Sequence, residues 1–108
     1  MQKTNSERFS GMMGFARRAG KTVSGTELVL RAVQKGTAKL VVVSESASDA
    51  TRKKLRTNCE FYGAPRIEAS VDTEELGRLI GKSSAISAVA ITDEIFAREI
   101  KRAVCPEE

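Results

Sequence analysis

One stretch of the chain decides its fold: Lys39-Leu40-Val41-Val42-Val43. The four aliphatic residues are consecutive, without the polar alternation of a strand that has one face in water. A strand of this kind is expected to be buried on both faces of a sheet. A sheet of this kind needs helices on both sides, so the flanking sequence must supply them.

Helical patterns flank this strand on both sides. Helices are predicted over residues 5–19, 49–62 and 93–104. Another is predicted from a capping box at Ser24-Gly25-Thr26-Glu27 to residue 35, and a short one is predicted after the cap Asp72-x-x-Glu75. Further strands are predicted at 21–23, as a short edge strand, at 66–69 and at 86–91. The alternation predicts an α/β fold, a three-layer α-β-α sandwich with a small mixed sheet of about four strands.

The composition argues against several classes of function. The chain has 108 residues and no histidine, so we expect one domain over 1–108 and no Ser–His or Cys–His nucleophile pair. Cys59 and Cys105 lie too far apart for a close-spaced metal pair, and we expect both to be reduced, with Cys59 in the core. We therefore expect no catalytic residue, no cofactor and no metal. Because it lacks a long apolar run and a signal-like start, the chain is expected to be cytoplasmic and without membrane contact. We also expect a monomer.

The charges divide unevenly along the chain. Residues 1–56 hold twelve of the 18 Lys and Arg but four of the 14 Asp and Glu, whereas residues 57–108 carry an excess of acid. Charges lie on any soluble surface, but such segregation favours one face built for a polyanion such as nucleic acid.

The first candidate site lies in residues 17–27. Arg17, Arg18 and Lys21 precede a helix start at Gly25, where free backbone N–H groups and the helix dipole suit phosphate. Arg31, one turn further along, faces a similar direction. The alternative is that Glu27 only closes a capping box and the cations are solvated.

Other motifs favour structural roles. Residues 81–83 (Gly-Lys-Ser) fail as a P-loop, because Leu76 stands where a glycine is needed. The basic run at 52–56 is interpreted as a solvated helix face, and the acids at 72–75 and 93–94 as helix-start residues. Most of the five aromatic rings are expected in the core, which favours recognition of RNA shape and backbone over base stacking.

Several motifs together resemble the L-seven-Ae superfamily of ribosomal and kink-turn RNA-binding proteins. These motifs are residues 24–27, 36–43, 59–60 with Pro65, 76–77 with Gly81, and 88–93. The run 14–21 looks like the bacterial YlxQ-like branch. The resemblance implies an α-β-α sandwich that grips RNA with the helix start at Gly25 and the loop before the last strand.

The match to kink-turn binders is imperfect at several of the residues expected to contact RNA. Glu27 stands where Asn is expected, Leu28 where Glu is expected, and Ser46 where an acid is expected, while Arg31 keeps the charge of the expected Lys. A carboxylate only accepts hydrogen bonds, so Glu27 suits guanine N–H groups but repels phosphate. The RNA-binding residues predicted in this way are Lys21, Gly25, Thr26, Glu27, Arg31, Lys35, Lys82, Ser83, Ser84, Ala85 and Ile86.

These observations lead to one main function and two alternatives. We expect non-catalytic binding of structured RNA, either kink-turn-like or ribosomal RNA, with a ribosomal or other protein as a further partner. The runner-up is a protein–protein adaptor in the transcription or translation machinery, which the acidic second half would serve. An RNA methyltransferase or nuclease is disfavoured, because no glycine-rich cofactor loop follows a strand and no metal cluster is visible.

Overall fold

A computed structural model describes residues 6–104 as five helices and four strands. The helices are α1 (Ser6–Arg18), α2 (Thr26–Lys35), α3 (Asp49–Tyr62), α4 (Thr73–Leu79) and α5 (Glu94–Val104). The strands are β1 (Thr22–Ser24), β2 (Leu40–Ser44), β3 (Arg66–Ala69) and β4 (Ala88–Ile91). The predicted order of elements is confirmed, although β4 begins two residues later than expected. Cys105 and a predicted helix start before residue 6 lie outside the described residues. No described helix has the length and apolar character needed to span a membrane.

The four strands form one open mixed sheet in the order β1-β4-β2-β3. β2 runs parallel to β3, and β4 runs antiparallel to both β1 and β2. Val42 of β2 is opposite Ile67 of β3 and Val89 of β4. β1 lies at the edge, as predicted.

β2 divides the interior into two cores. Leu40 and Val42 join the core formed with α1, α4 and α5. Val41 and Val43 face the other way, into the core formed with α2 and α3. All four side chains are essentially inaccessible to solvent. The predicted three-layer α-β-α sandwich is confirmed.

Side-chain caps begin three of the helices. Ser48 Oγ accepts a hydrogen bond from the Thr51 N–H at 3.1 Å, and Asp72 Oδ1 accepts one from the Glu75 N–H at 2.7 Å. Asp93 Oδ1 accepts from the first turn of α5 in the same way. The structural interpretation of Asp72 and Asp93 is confirmed.

The capping box predicted at residues 24–27 is wrong. Gly25, not Ser24, occupies the N-cap of α2, and no side chain makes a capping hydrogen bond there. Ser24 instead is the last residue of β1, paired with Val89 of β4. Sheet pairing has overridden a local helix-start motif.

The expectation that most aromatic rings are buried is also wrong. Phe9 is buried and Phe96 packs against the core, but Phe15, Phe61 and Tyr62 are 53%, 79% and 47% exposed. Phe15 lies outside the α1 face that enters the core. Tyr62 is the last residue of α3 and lines an open groove.

Substitution of Leu55 tests how tightly the core on the α3 side is packed. Leu55 is fully buried in α3, whereas Leu28 of α2 is 51% exposed. We expect Leu55→Ala to lower the free energy of unfolding by about 2–5 kcal/mol, because it leaves a cavity. The same substitution at Leu28 should change it by no more than about 0.5 kcal/mol. Urea denaturation measures both, and equal losses would contradict this packing.

Glu99 gives a pH-dependent prediction. The Arg8 guanidinium in α1 donates a hydrogen bond to Glu99 Oε1 in α5 at 2.7 Å. That hydrogen bond, helped by the nearby Arg102 and Arg98 charges, lowers the pKa of Glu99 from its ordinary 4.5. Because the pKa of Glu99 is lower in the folded state than its ordinary value, the ionised carboxylate stabilises the fold above pH 4.5. This stabilisation is lost as the pH falls through the lowered pKa of the folded state.

We therefore expect Glu99→Gln to be less stable than the unaltered protein at neutral pH. The difference should shrink as the pH falls below 4.5 and vanish on further acidification. Denaturant titrations over a pH series measure it. A difference that stays constant across the series would mean that the ionised carboxylate contributes nothing.

Candidate nucleic-acid interface

The start of α2 leaves backbone donors available. Gly25 has φ +96° and ψ 140°, a conformation that side-chain-bearing residues rarely adopt. The first helical hydrogen bond runs from the Val29 N–H to the Gly25 carbonyl at 2.9 Å. The N–H groups of residues 26–28 precede it and receive no side-chain cap among the described residues. This is the geometry that favours an anion at a helix start.

Open space surrounds Gly25. A β-carbon built on this residue would meet no atom within 4 Å. The glycine is therefore required by its backbone angles and not by internal packing. The open face lets a ligand backbone approach closely.

The loop of residues 80–87 is fixed to α4 and to the sheet. The Lys82 N–H donates to the Gly77 carbonyl at 2.8 Å, and the Ile86 N–H donates to the Thr73 carbonyl at 2.9 Å. A β-carbon at Gly77 would overlap the Ser84 carbonyl, which shows how closely the loop lies on the helix. The side chains of residues 82–85 are exposed, whereas Ile86 packs partly against the core. The loop therefore presents Lys82, Ser83, Ser84 and Ala85 from a fixed backbone.

Sheet pairing brings the helix start and the loop together. The Gly25 N–H donates to the Ala88 carbonyl at 3.1 Å, so the end of β1 lies beside the start of β4. The loop ends where β4 begins. Two regions separated by more than fifty residues of sequence thus form one surface.

The predicted cations divide between the two ends of the molecule. Arg31 lies one helical turn from Glu27 on an exposed face of α2, and Lys82 lies in the loop. Lys21 precedes β1 at the opposite end of that strand, about 13 Å along the chain from Gly25. Lys35 is the last residue of α2, about 14 Å from the helix start. The structure does not bring Lys21 and Lys35 to Gly25.

Arg17, a cation of the first candidate segment, contacts the loop of residues 80–87. The guanidinium of Arg17, in the last turn of α1, lies directly over Gly81, where a β-carbon would overlap it. The sequence placed Arg17 near the helix start but gave no signal that it meets the loop, because that contact is made between distant elements. We call the whole set the Gly25 surface: residues 25–27 and 82–85 with Arg17 and Arg31.

The cations of the Gly25 surface lack acidic partners. Ion pairs among the described residues occupy Arg8, Arg52, Arg66, Arg78 and Arg102. Within residues 6–104, no carboxylate lies within ion-pair distance of Arg17, Arg31 or Lys82. Their charges are therefore available to an external anion.

The surface also carries one acid and one apolar side chain. Glu27 is exposed and forms no ion pair with the described cations. Leu28, beside it, is 51% exposed. Together they offer a hydrogen-bond acceptor and an apolar contact next to the cations, a combination that can touch a base edge as well as phosphate. In the described part of the chain, no three His, Cys, Asp or Glu residues gather as metal ligands.

Several known proteins are similar to this chain in sequence. The chain is 40% identical over 91 residues to "RNA-binding protein YlxQ" of Bacillus subtilis (strain 168), covering 82% of this chain and 87% of the relative. It is 31% identical to the protein of the same name from Enterococcus faecium, covering 96% of this chain and 98% of the relative. It is also 30% identical to large ribosomal subunit protein eL30 of Sulfolobus acidocaldarius, covering 90% and 99%.

Solved structures share the fold. A protein of unknown function from Bacillus halodurans C matches with a TM-score of 0.83 and 32% identity, covering 89% of this chain and 95% of that one. The Giardia lamblia 15.5kD RNA binding protein matches with a TM-score of 0.75, covering 91% of this chain and 82% of that one. Its identity of 20% shows likeness of fold alone.

The fold and the surface define a class: small α-β-α sandwiches that present a helix start and a polar loop side by side. The chain belongs to the ribosomal protein L7Ae/L30e/S12e/Gadd45 family, whose model matches residues 7–101. This is the superfamily that the sequence motifs indicated, and the YlxQ-like relatives confirm the branch.

The requirement for glycine at position 25 can be tested by comparison with a glycine in ordinary helical conformation. We expect Gly25→Ala to lower the free energy of unfolding by about 1–3 kcal/mol, because alanine is strained at this φ and ψ. Gly11 lies inside α1 and has open space around it, so Gly11→Ala should instead raise stability by about 0.5–1 kcal/mol. Urea denaturation measures both, and a neutral Gly25→Ala would show that the angles at this helix start are not fixed.

Proposed function

We propose that this chain is a non-catalytic protein, acting as one domain, that binds structured RNA through the Gly25 surface. One observation carries the proposal. The start of α2, which has no side-chain cap, lies beside the end of the loop that leads into β4, and within residues 6–104 the nearby cations Arg31 and Lys82 have no ion-pair partner. Nothing on this surface gathers the groups of a catalytic site, whereas phosphate and base edges suit it.

The chemistry of the surface divides into two tasks. Arg17, Arg31 and Lys82 neutralise phosphates, together with the N–H groups at the start of α2. Glu27 accepts hydrogen bonds from guanine N1–H and N2–H₂, which are exposed where a duplex is bent or unpaired. Because Glu27 repels phosphate, it also fixes which part of the RNA faces this point.

The relatives support RNA as the partner. Two bear the name RNA-binding protein, and another is a protein of the large ribosomal subunit. We infer that the bound RNA is structured, either a kink-turn-like element or ribosomal RNA, and that the protein acts in the cytoplasm. Lys21 and Lys35, which lie away from Gly25, then contribute long-range attraction and not direct contacts.

Binding to three labelled RNAs tests the proposal. The RNAs are a kink-turn, a plain duplex and an unstructured strand, each measured by fluorescence anisotropy at several salt concentrations. We expect the kink-turn to bind most tightly, with log affinity falling linearly with log salt at about 0.9 per neutralised phosphate. Equal, weak binding to all three with a shallow slope would overturn the proposal and favour a protein partner.

Point variants locate the surface. We expect Arg31→Ala and Lys82→Ala each to weaken kink-turn binding about tenfold or more, because each removes a hydrogen bond to a charged group. Lys54, an exposed cation of α3 outside the Gly25 surface, supplies the matched control. Lys54→Ala should change affinity much less at the same salt concentration. If all three variants behave alike, binding is diffuse and this surface is not the site.

A further inference from the structure

A second concave surface lies at the opposite end of the sheet. It is a groove of about 520 Å³, within the size range of ligand sites. Its walls come from the start of β2 at Leu40, from Pro65 before β3, and from Gly36 after α2. The Gly25 surface lies at the start of α2, so both surfaces are accessible at once. We call this second surface the distal groove.

An exposed aromatic side chain lines the distal groove. Tyr62, 47% exposed, forms part of the wall. The neighbouring ring of Phe61 packs edge-on against it, with centroids 4.9 Å apart and planes at 81°. An exposed aromatic ring at the edge of a groove can stack against another flat ring, such as a nucleic-acid base.

The charge of the distal groove is mainly positive. Lys39, Arg98 and Lys101 line it, against one carboxylate, that of Glu94. None of the three cations lies within ion-pair distance of a carboxylate in the part of the chain that is described. The groove therefore has an unneutralised excess of positive charge beside an aromatic ring.

We propose that the distal groove binds single-stranded RNA, with a base stacked on Tyr62 and flanking phosphates on Lys39, Arg98 and Lys101. A positive groove with an aromatic platform is how proteins hold single strands without reading their sequence. A protein partner suits the groove less well. Lysine is depleted at protein–protein interfaces, whereas nucleic-acid interfaces are strongly positive, and two of these three cations are lysines.

The inference stands apart from the function of the Gly25 surface. The two surfaces share no residue, and either one can bind RNA without the other. If both do, the protein holds a folded RNA element at one end and an unpaired flanking strand at the other. Such two-point attachment raises the affinity for an RNA that carries both features.

A short labelled oligoadenylate, too short to fold, tests the distal groove by fluorescence anisotropy with the full chain. We expect Tyr62→Leu to weaken binding about fivefold or more, whereas Tyr62→Phe retains it because the ring remains. Phe15→Leu is the matched control, since Phe15 is a similarly exposed ring outside the groove. Lys101→Gln should lower the slope of log affinity on log salt by about 0.7, the value for one phosphate of a single strand.

Arg31→Ala separates this inference from the Gly25 surface, because it should leave oligoadenylate binding unchanged while weakening kink-turn binding. The inference is overturned if oligoadenylate does not bind, or if Tyr62→Leu and Phe15→Leu behave alike. It is also overturned if adenosine monophosphate binds as tightly as the strand, which would indicate a nucleotide site. Tyr62-dependent binding of an oligoglutamate peptide in preference to the strand would overturn it in favour of a protein partner.

Discussion

The burial of β2 on both of its faces is the constraint on which the rest of the structure depends. Leu40 and Val42 enter one core while Val41 and Val43 enter the other, so helices must cover both sides of the sheet. Each core therefore contains two side chains of this strand. The three layers follow from four consecutive aliphatic residues in the centre of a small sheet.

That central strand also determines where the proposed binding surface lies. β4 pairs antiparallel with β2 on one side and with β1 on the other. The loop that enters β4 therefore lies beside the residue that leaves β1, and the Gly25 N–H meets the Ala88 carbonyl there. Backbone hydrogen bonds within the protein hold the helix start beside the end of the loop, so the proposed surface does not need RNA contacts to form it. Preorganisation of this kind lowers the entropic cost of binding.

Local patterns in the sequence were sufficient for the elements but not for every site residue. Residues 48–63 contain a capping serine, a helical face and a terminating glycine, and α3 has the predicted bounds, residues 49–62. Ser24 carried an equally good capping pattern, but strand pairing with Val89 decided its conformation. The meeting of Arg17 with Gly81, and the exposure of Tyr62, depend on how distant elements pack. No window of sequence contains that information.

Mapping of backbone amide shifts by NMR during titration with a kink-turn RNA tests the central claim most directly. The account predicts that the largest changes fall on residues 25–31 and 82–87, two segments far apart in sequence that the sheet joins. The amides in the middle of α3 should change little. If the largest changes fall on α3 or α5 while residues 25–31 stay unperturbed, the Gly25 surface does not bind structured RNA.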